Sequence, residues 1–429
     1  MPPPPPASRR SPWAWVPSLY LAEGLPYVMV MTVSVVMYKR LGLSNTDLAL
    51  YTSWLYLPWV IKPLWSPLVE LLGTRRAWVV VMQWTLAVSL GAVALVLPGP
   101  SWLAGSLAVF WLMAFASATH DIAADGFYLL ALPERQQAAF VGVRSTFYRV
   151  AMIAGQGALV MLAGYLETRG GRPAVAWGVT LGVLAGTFAL LAGWHQVALP
   201  RPAADQRRAA SLRTALGDFL RVFAVFFRKP GVAGIIAFLL LYRLAEAQLV
   251  KLVTPFLLDG REAGGLGLTT SQVGFAYGTV GILALTAGGL LGGWLISRFG
   301  LRAMFWPMAA AIHLPDLVFV WLAAVQPASL AVVTAGVAVE QFGYGLGFAA
   351  YLLYMVLVSE GEHRTAHYAL CTGFMALGMM LPGMASGALQ ERLGYEAFFW
   401  WVVVTTLPAF VMVAVVRRGV PAEFGMRDA

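Results

Sequence analysis

The feature that most constrains this chain is a succession of apolar runs, each about as long as a bilayer is thick. The hydrocarbon core takes about 20 helical residues to cross. Runs of that order, divided by polar breaks, recur at 13–38, 46–71, 77–97, 102–132, 137–166, 174–198, 231–258, 271–297, 301–325, 329–358, 364–390 and 395–416. Backbone in lipid must satisfy its own hydrogen bonds, so each run predicts a helix. The expected fold class is therefore an all-α polytopic membrane protein with twelve transmembrane helices. Charged residues make up only 11% of the chain, against roughly 25% in a soluble domain. The first run is too long for a signal-peptide core and lacks a cleavage site, so it is expected to be a membrane helix. The proline-rich stretch 1–12 before it reads as a disordered tail, and the single cysteine, Cys371, excludes an intrachain disulfide.

The net charge of +9 does not point to nucleic acid, because that needs basic residues gathered on one exposed face. Here they sit in short clusters between apolar runs, as topology signals do. With the N-terminus inside, 18 of the 29 Lys and Arg fall on the inner side, 6 on the outer side and 5 within spans. Both termini are therefore expected in the cytoplasm. The polar segment 199–230 carries Leu212, Leu216, Phe219, Leu220 and Phe223 at helical spacing, which predicts an amphipathic helix at the membrane surface.

An internal repeat divides the chain. Leu41-Gly42-Leu43-Ser44-Asn45-Thr46 before the second span matches Leu266-Gly267-Leu268-Thr269-Thr270-Ser271 before the eighth, 225 residues on. Leu19–Glu23 resembles Leu241–Glu246 with one insertion. The loop Glu70-Leu71-Leu72-Gly73-Thr74-Arg75-Arg76 is answered by Gly293–Arg302, with Gly73 and Gly300 lying 227 apart. These matches predict a tail 1–12, a six-helix half 13–198, a linker 199–230, a second half 231–416 and a tail 417–429.

The second of those loops resembles the major facilitator signature G-x-L-x-D-R-x-G-R-R, with Ser297 in place of the Asp. The first is looser, with Ser66 for the first Gly and Glu70 for the Asp. Glu70, Gly73, Arg75, Arg76, Gly293, Arg298, Gly300 and Arg302 are thus candidates for a conformational loop that bridges helix ends in one state only. Three stretches, Leu19–Tyr27 (LYLAEGLPY), Ala118–Gly126 (ATHDIAADG) and His367–Phe399, resemble the AmpG-type muropeptide permease branch, which includes relatives of acetyl-coenzyme A transporters. The resemblance implies a 6+6 pseudo-symmetric bundle in the inner membrane. It also implies proton-driven import of anionic sugar-peptides or related metabolites, and a cavity lined by spans one, four, seven and ten.

Intramembrane acids are Glu23, Asp121, Asp125, Glu246, Asp316 and Glu340, and five of these six lie on those four spans. An ionisable group at bilayer depth is a functional candidate by default. Glu23, Asp121, Asp125, Glu246 and Glu340 are the proton-coupling candidates. Tyr20, Tyr27, Arg144, Arg149, Arg243, Lys251, Gln341 and Tyr344 are the substrate-binding candidates. Arg144 and Arg149 lie on span five at depths that match Asp125 and Asp121 on span four, so an inter-helix pair is geometrically reasonable. Two readings stand: static ion pairs that fix packing, or acids that exchange protons as an arginine holds an anionic substrate.

Other signals read as structure. His120 is a relay or a packing residue; His313-Leu314-Pro315-Asp316 reads as a proline kink with a locally satisfied Asp. Gly343–Gly347 and Gly288–Gly293 read as close helix packing rather than a phosphate loop. Gly155-Gln156-Gly157 replaces the Gly-Pro pair of drug–proton antiporters, which favours uptake. No metal-ligand spacing, catalytic triad or cofactor motif appears, so no enzyme activity, metal or cofactor is expected. The expectation is a monomeric secondary active transporter working by alternating access, taking up a polar anionic solute with protons. Efflux of amphipathic compounds is the alternative, with a polytopic enzyme and a non-transporting sensor as minor ones.

Overall fold

A computed structural model describes residues 11–206 and 212–426. Among them, eleven helices are long and apolar enough to cross a membrane. Span one is Pro12–Arg40, span three Arg75–Val96, span four Trp102–Ala131, span five Glu134–Thr168 and span six Pro173–Ala198. Span seven is Val232–Leu258, span eight Thr270–Phe299, span nine Leu301–Val325, span ten Leu330–Ser359, span eleven Arg364–Leu393 and span twelve Tyr395–Gly419. The expected second span is present as two shorter helices, Asn45–Trp54 and Leu57–Leu72. A turn at Leu55–Tyr56 breaks it, and Pro58 follows in the first turn of the second piece, where its missing N–H is harmless.

The sequence repeat has a physical meaning. Gly42 and Gly267 adopt φ of 90° and 66°, a backbone conformation that side chains with a Cβ resist. Two residues later, Ser44 and Thr269 cap the following helix, accepting hydrogen bonds from the N–H groups of Asp47 (3.1 Å) and Gln272 (3.2 Å). The same turn-and-cap thus starts spans two and eight. Several spans are locally irregular. π-helical turns occupy Met29–Val33 in span one, Ala154–Leu159 in span five and Gly274–Gly281 in span eight, and span seven is interrupted at Tyr242–Arg243. Such breaks concentrate at functional sites.

The segment after span six forms the expected helix, Leu212–Phe227. Phe226 is buried in a core with Phe238, Tyr242, Phe305 and Tyr351, and Phe223 packs against it. The side chains of Leu212, Leu216 and Phe219 lie outside the described residues. Lys229 then donates to the carbonyls of Val358 and Glu360 at the end of span ten, a cation on a helix C-terminus. Burial pushes its ammonium below the usual lysine range.

Among the described residues, two compact units emerge. The first comprises Met1–Val30, Leu64–Gly155 and Ala174–Leu216; the second comprises Met31–Pro63, Gln156–Pro173 and Gly217–Ala429. The division does not follow 13–198 and 231–416, because the later parts of spans one and five and the first helix of span two group with the residues after Gly217. Large apolar side chains such as Leu95, Leu190 and Leu290 remain mostly exposed, as an exterior solvated by lipid tails requires.

Within the first unit, Gln83 ties two buried histidines together. Its Nε2 donates to His120 Nε2 at 2.9 Å, and its Oε1 accepts from His195 Nδ1 at 2.7 Å. His195 Nε2 in turn lies 2.9 Å from Ser18 Oγ. Spans one, three, four and six are joined by this chain, which ends at His120. Gln83→Leu strips both histidines of a partner in a dry interior, at a cost of about 2–4 kcal/mol. A lower melting temperature in detergent is the expected result; an unchanged one means that the rings find other partners.

Candidate functional site

The first cluster is built on spans one, four and five. Tyr20 and Glu23 are three residues apart and Asp121 and Asp125 four apart, so each pair shares a helix face. One oxygen each of Glu23, Asp121 and Asp125 lies within 4.8 Å of the others. Glu23 is 7% exposed and its Oε2 makes no hydrogen bond. The Asp125 side chain, by contrast, is 40% exposed. Arg144 crosses from span five and pairs with Asp125, Nη2 to Oδ1 at 2.7 Å. Its guanidinium lies 4.6 Å from the centre of the Tyr20 ring and 5.5 Å from that of Tyr128. Tyr20 completes the group by donating its hydroxyl to Asp125 Oδ1 at 3.1 Å. A cation held between a carboxylate and aromatic faces is oriented but keeps an accessible edge. Arg149 and Tyr27 are half-buried on the same two spans, and Gln156 is buried further along span five.

The second unit gathers the remaining candidates. Glu246 on span seven and Glu340 on span ten meet, and Asp316 of span nine joins them. This corrects the expectation for Asp316. The kink exists, as a 3-10 turn at Leu314–Asp316, but it turns the carboxylate inward, and neither oxygen makes a hydrogen bond. Gln341 donates to Glu340 at 3.0 Å. Arg243 donates to the Tyr344 hydroxyl and lies over the Phe348 ring at 4.7 Å. Lys251 is buried, donating to Thr52 Oγ1 at 3.0 Å with its Nζ over the Tyr56 ring. The glycines of spans eight and ten pack backbone to backbone, since a Cβ at Gly345 would meet Gly289 N at 2.9 Å.

The loop candidates sit at helix ends. The backbone N–H groups of Arg75 and Arg76 both donate to Asp205, at 2.8 and 3.0 Å, a carboxylate on a helix N-terminus. Arg76 also reaches the carbonyls of Gln196 and Leu199, while the Arg75 side chain lies against Gly126. Gly73 lies beside the Trp78 indole, which donates to Val69 O. The side chain of Glu70 lies outside the described residues. Arg298 stacks near Trp294 and Phe299, Gly293 faces open space, and Gly300 has φ of 78° before span nine. The carbonyl of Arg302 accepts from Arg417 at 2.8 Å.

Sequence reasoning missed a third polar network, in the second unit. Lys39 pairs with Asp259 at 2.7 Å and donates to Asn45 at 2.7 Å. Asn45 donates to Gln390 and Tyr395, and Tyr395 donates to Asp259 at 2.6 Å. Arg40 pairs with Glu167 at 3.0 Å, and Glu167 also accepts from Thr270. The loops after spans one, five, seven and eleven are thereby fastened to one another. The signal lies beside the matched loops at Leu41 and Leu266, where Lys39 and Asp259 read from sequence as ordinary loop charges. Lys39→Ala removes two of these bonds and is expected to loosen the fastening. Spin labels on Asp47→Cys and Arg392→Cys, in a Cys371→Ser background, should gain a longer distance component. An unchanged distribution would make the network static packing.

Residues 22–256 match the profile of the BT1 family, more than half of the 429-residue chain. The chain belongs to the BT1 family. The anhydromuropeptide permease of Escherichia coli (strain K12) is 27% identical over 418 residues, covering 93% of this chain and 78% of the relative. A mutant of the nucleoside transporter NupG superposes with a TM-score of 0.70 at 16% identity, over 93% of this chain and 98% of that one. A D-xylose-proton symporter does so with a TM-score of 0.67 at 13% identity, over 96% and 97%. The fold is of the major facilitator type, and this BT1-family chain is a multi-pass membrane transporter rather than an enzyme. The BT1 match encloses the whole Glu23–Asp121–Asp125–Arg144 cluster, whereas His313, Asp316 and Glu340 lie beyond it.

Proposed function

We propose that this BT1-family transporter is a secondary active permease that imports a polar, anionic solute with protons by alternating access. Arg144 carries the proposal. It presents a permanent positive charge beside the accessible Asp125 carboxylate, with Glu23 buried behind. Competition for Arg144 between Asp125 and a substrate carboxylate frees Asp125 to take a proton, which links the two cargoes. The anhydromuropeptide permease relative supports a muropeptide-like or related metabolite as the substrate class, and the proton symporter of like fold supports proton coupling. The two halves 13–198 and 231–416 exchange access as a monomer in the inner membrane. Both termini are cytoplasmic, on the strength of 18 inner against 6 outer cations.

Uptake by proteoliposomes tests this. Labelled anhydromuropeptide should accumulate when the outside is made acidic, while xylose and uridine should not. Indifference to the pH gradient removes the coupling. Accumulation of amphipathic dyes in the opposite direction favours efflux instead.

A further inference from the structure

The cluster on spans seven, nine and ten carries more than packing can explain. Glu246, Asp316 and Glu340 are at most 1% exposed, and one oxygen of each lies within 4.8 Å of the others. Both oxygens of Glu246 and both of Asp316 make no hydrogen bond. A structural role normally satisfies buried carboxylates.

A second observation points to an occupant. His313 is 3% exposed, its ring nitrogens have no close hydrogen bond beyond a longer contact with the Tyr242 backbone, and Nδ1 faces Asp316 Oδ2 at 3.9 Å. That distance is too long for a direct hydrogen bond and leaves room for a small ion between the nitrogen and the carboxylate. The surrounding charged and titratable groups are few. Arg243 on span seven is engaged with Tyr344 and Phe348. Tyr277 on span eight is near Glu246 and Glu340, and Tyr242 lies edge-on to His313 at 5.8 Å. Three carboxyl groups face one guanidinium in a dry interior, where a bound cation would offset the cost of ionising them.

We propose that Glu246, Asp316, Glu340 and His313 form a buried site for a small monovalent cation, sodium. The site is distinct from the Glu23 cluster and does not depend on that cluster being the coupling site. Its donors come from three separate spans, which is why no ligand spacing marks it in the sequence.

Thermal unfolding of the full-length protein in detergent tests the site. The probes are sodium chloride against choline chloride at equal ionic strength, and a pH series from 5.5 to 8.5. A cation bound only by the folded state raises the melting temperature, by about 3 °C near saturation. A rise with sodium at pH 8 supports the site, and a rise on acidification without a sodium effect overturns it. In Asp316→Asn and in Glu246→Gln/Glu340→Gln that response should vanish while the baseline melting temperature holds or rises, because repulsion is relieved. Exposed Glu396→Gln should respond like the wild type, and His313→Phe should weaken the response without removing it. Equal responses in wild type and Asp316→Asn, or a response to zinc chloride alone, overturn the proposal. If an amide variant fails to fold, the pH change of an unbuffered wild-type sample on sodium addition decides: sodium displacing protons releases them, and no release in a sodium-responsive protein overturns the site.

Discussion

Arg144→Ala is expected to lower initial uptake by about 100-fold, the loss that follows when an anionic substrate is deprived of a charge-assisted contact. The variant should still insert and fold, because the Arg144 and Asp125 side chains are 31% and 40% exposed and neither is part of a sealed core. Arg144→Lys should recover only a minor part. An ammonium keeps the charge but not the planar fork that lies over Tyr20 at 4.6 Å while reaching Asp125. Tyr20→Phe keeps the ring and loses the hydroxyl donated to Asp125; its effect should be several-fold and no larger. Uptake close to wild type in Arg144→Ala, with equal protein in the membrane, would reduce the Arg144–Asp125 pair to a static tie between spans four and five.

Glu23→Gln should separate movement from driving force. The amide fills the same space beside Asp121 and Asp125 but cannot take up or release a proton. Accumulation against a gradient under an imposed pH difference should disappear, and exchange of labelled for unlabelled substrate at equal concentrations should persist. Asp125→Asn is expected to impair both, since Asp125 also holds Arg144 and Tyr20. Glu23→Gln with full proton-driven accumulation moves the coupling to another residue.

Much of the fold was legible because lipid imposes one rule on every span. The apolar runs gave eleven helices nearly end for end, and the twelfth fell short only where Leu55–Tyr56 breaks span two. Arg144 opposite Asp125 was legible too, because a short loop after span four sets the depth of span five. What stayed hidden depended on contacts between spans distant in sequence. Asp316 looked like a kink residue because Pro315 precedes it, and nothing local shows that the turn aims it at Glu246 and Glu340. Asp205 bonds to the N–H groups of Arg75 and Arg76 across about 130 residues of sequence. Lys39 and Asp259 each looked like ordinary loop charges; only their pairing makes them a fastening.

The π-helical turns have a consequence for how these helices tolerate changes in length. In span one the passage from the first compact unit to the second falls between Val30 and Met31, inside Met29–Val33. In span five it falls between Gly155 and Gln156, inside Ala154–Leu159. A π turn holds one residue more than an α turn, like a pleat in cloth. Deleting a residue elsewhere in a helix swings everything beyond it by about 100° and re-aims every side chain. Taking one from the pleat flattens it to an ordinary turn and leaves Tyr20 and Glu23 on one side, and Lys39 on the other, facing as they did. Chain length in spans one and five is therefore slack at these two places and taut everywhere else.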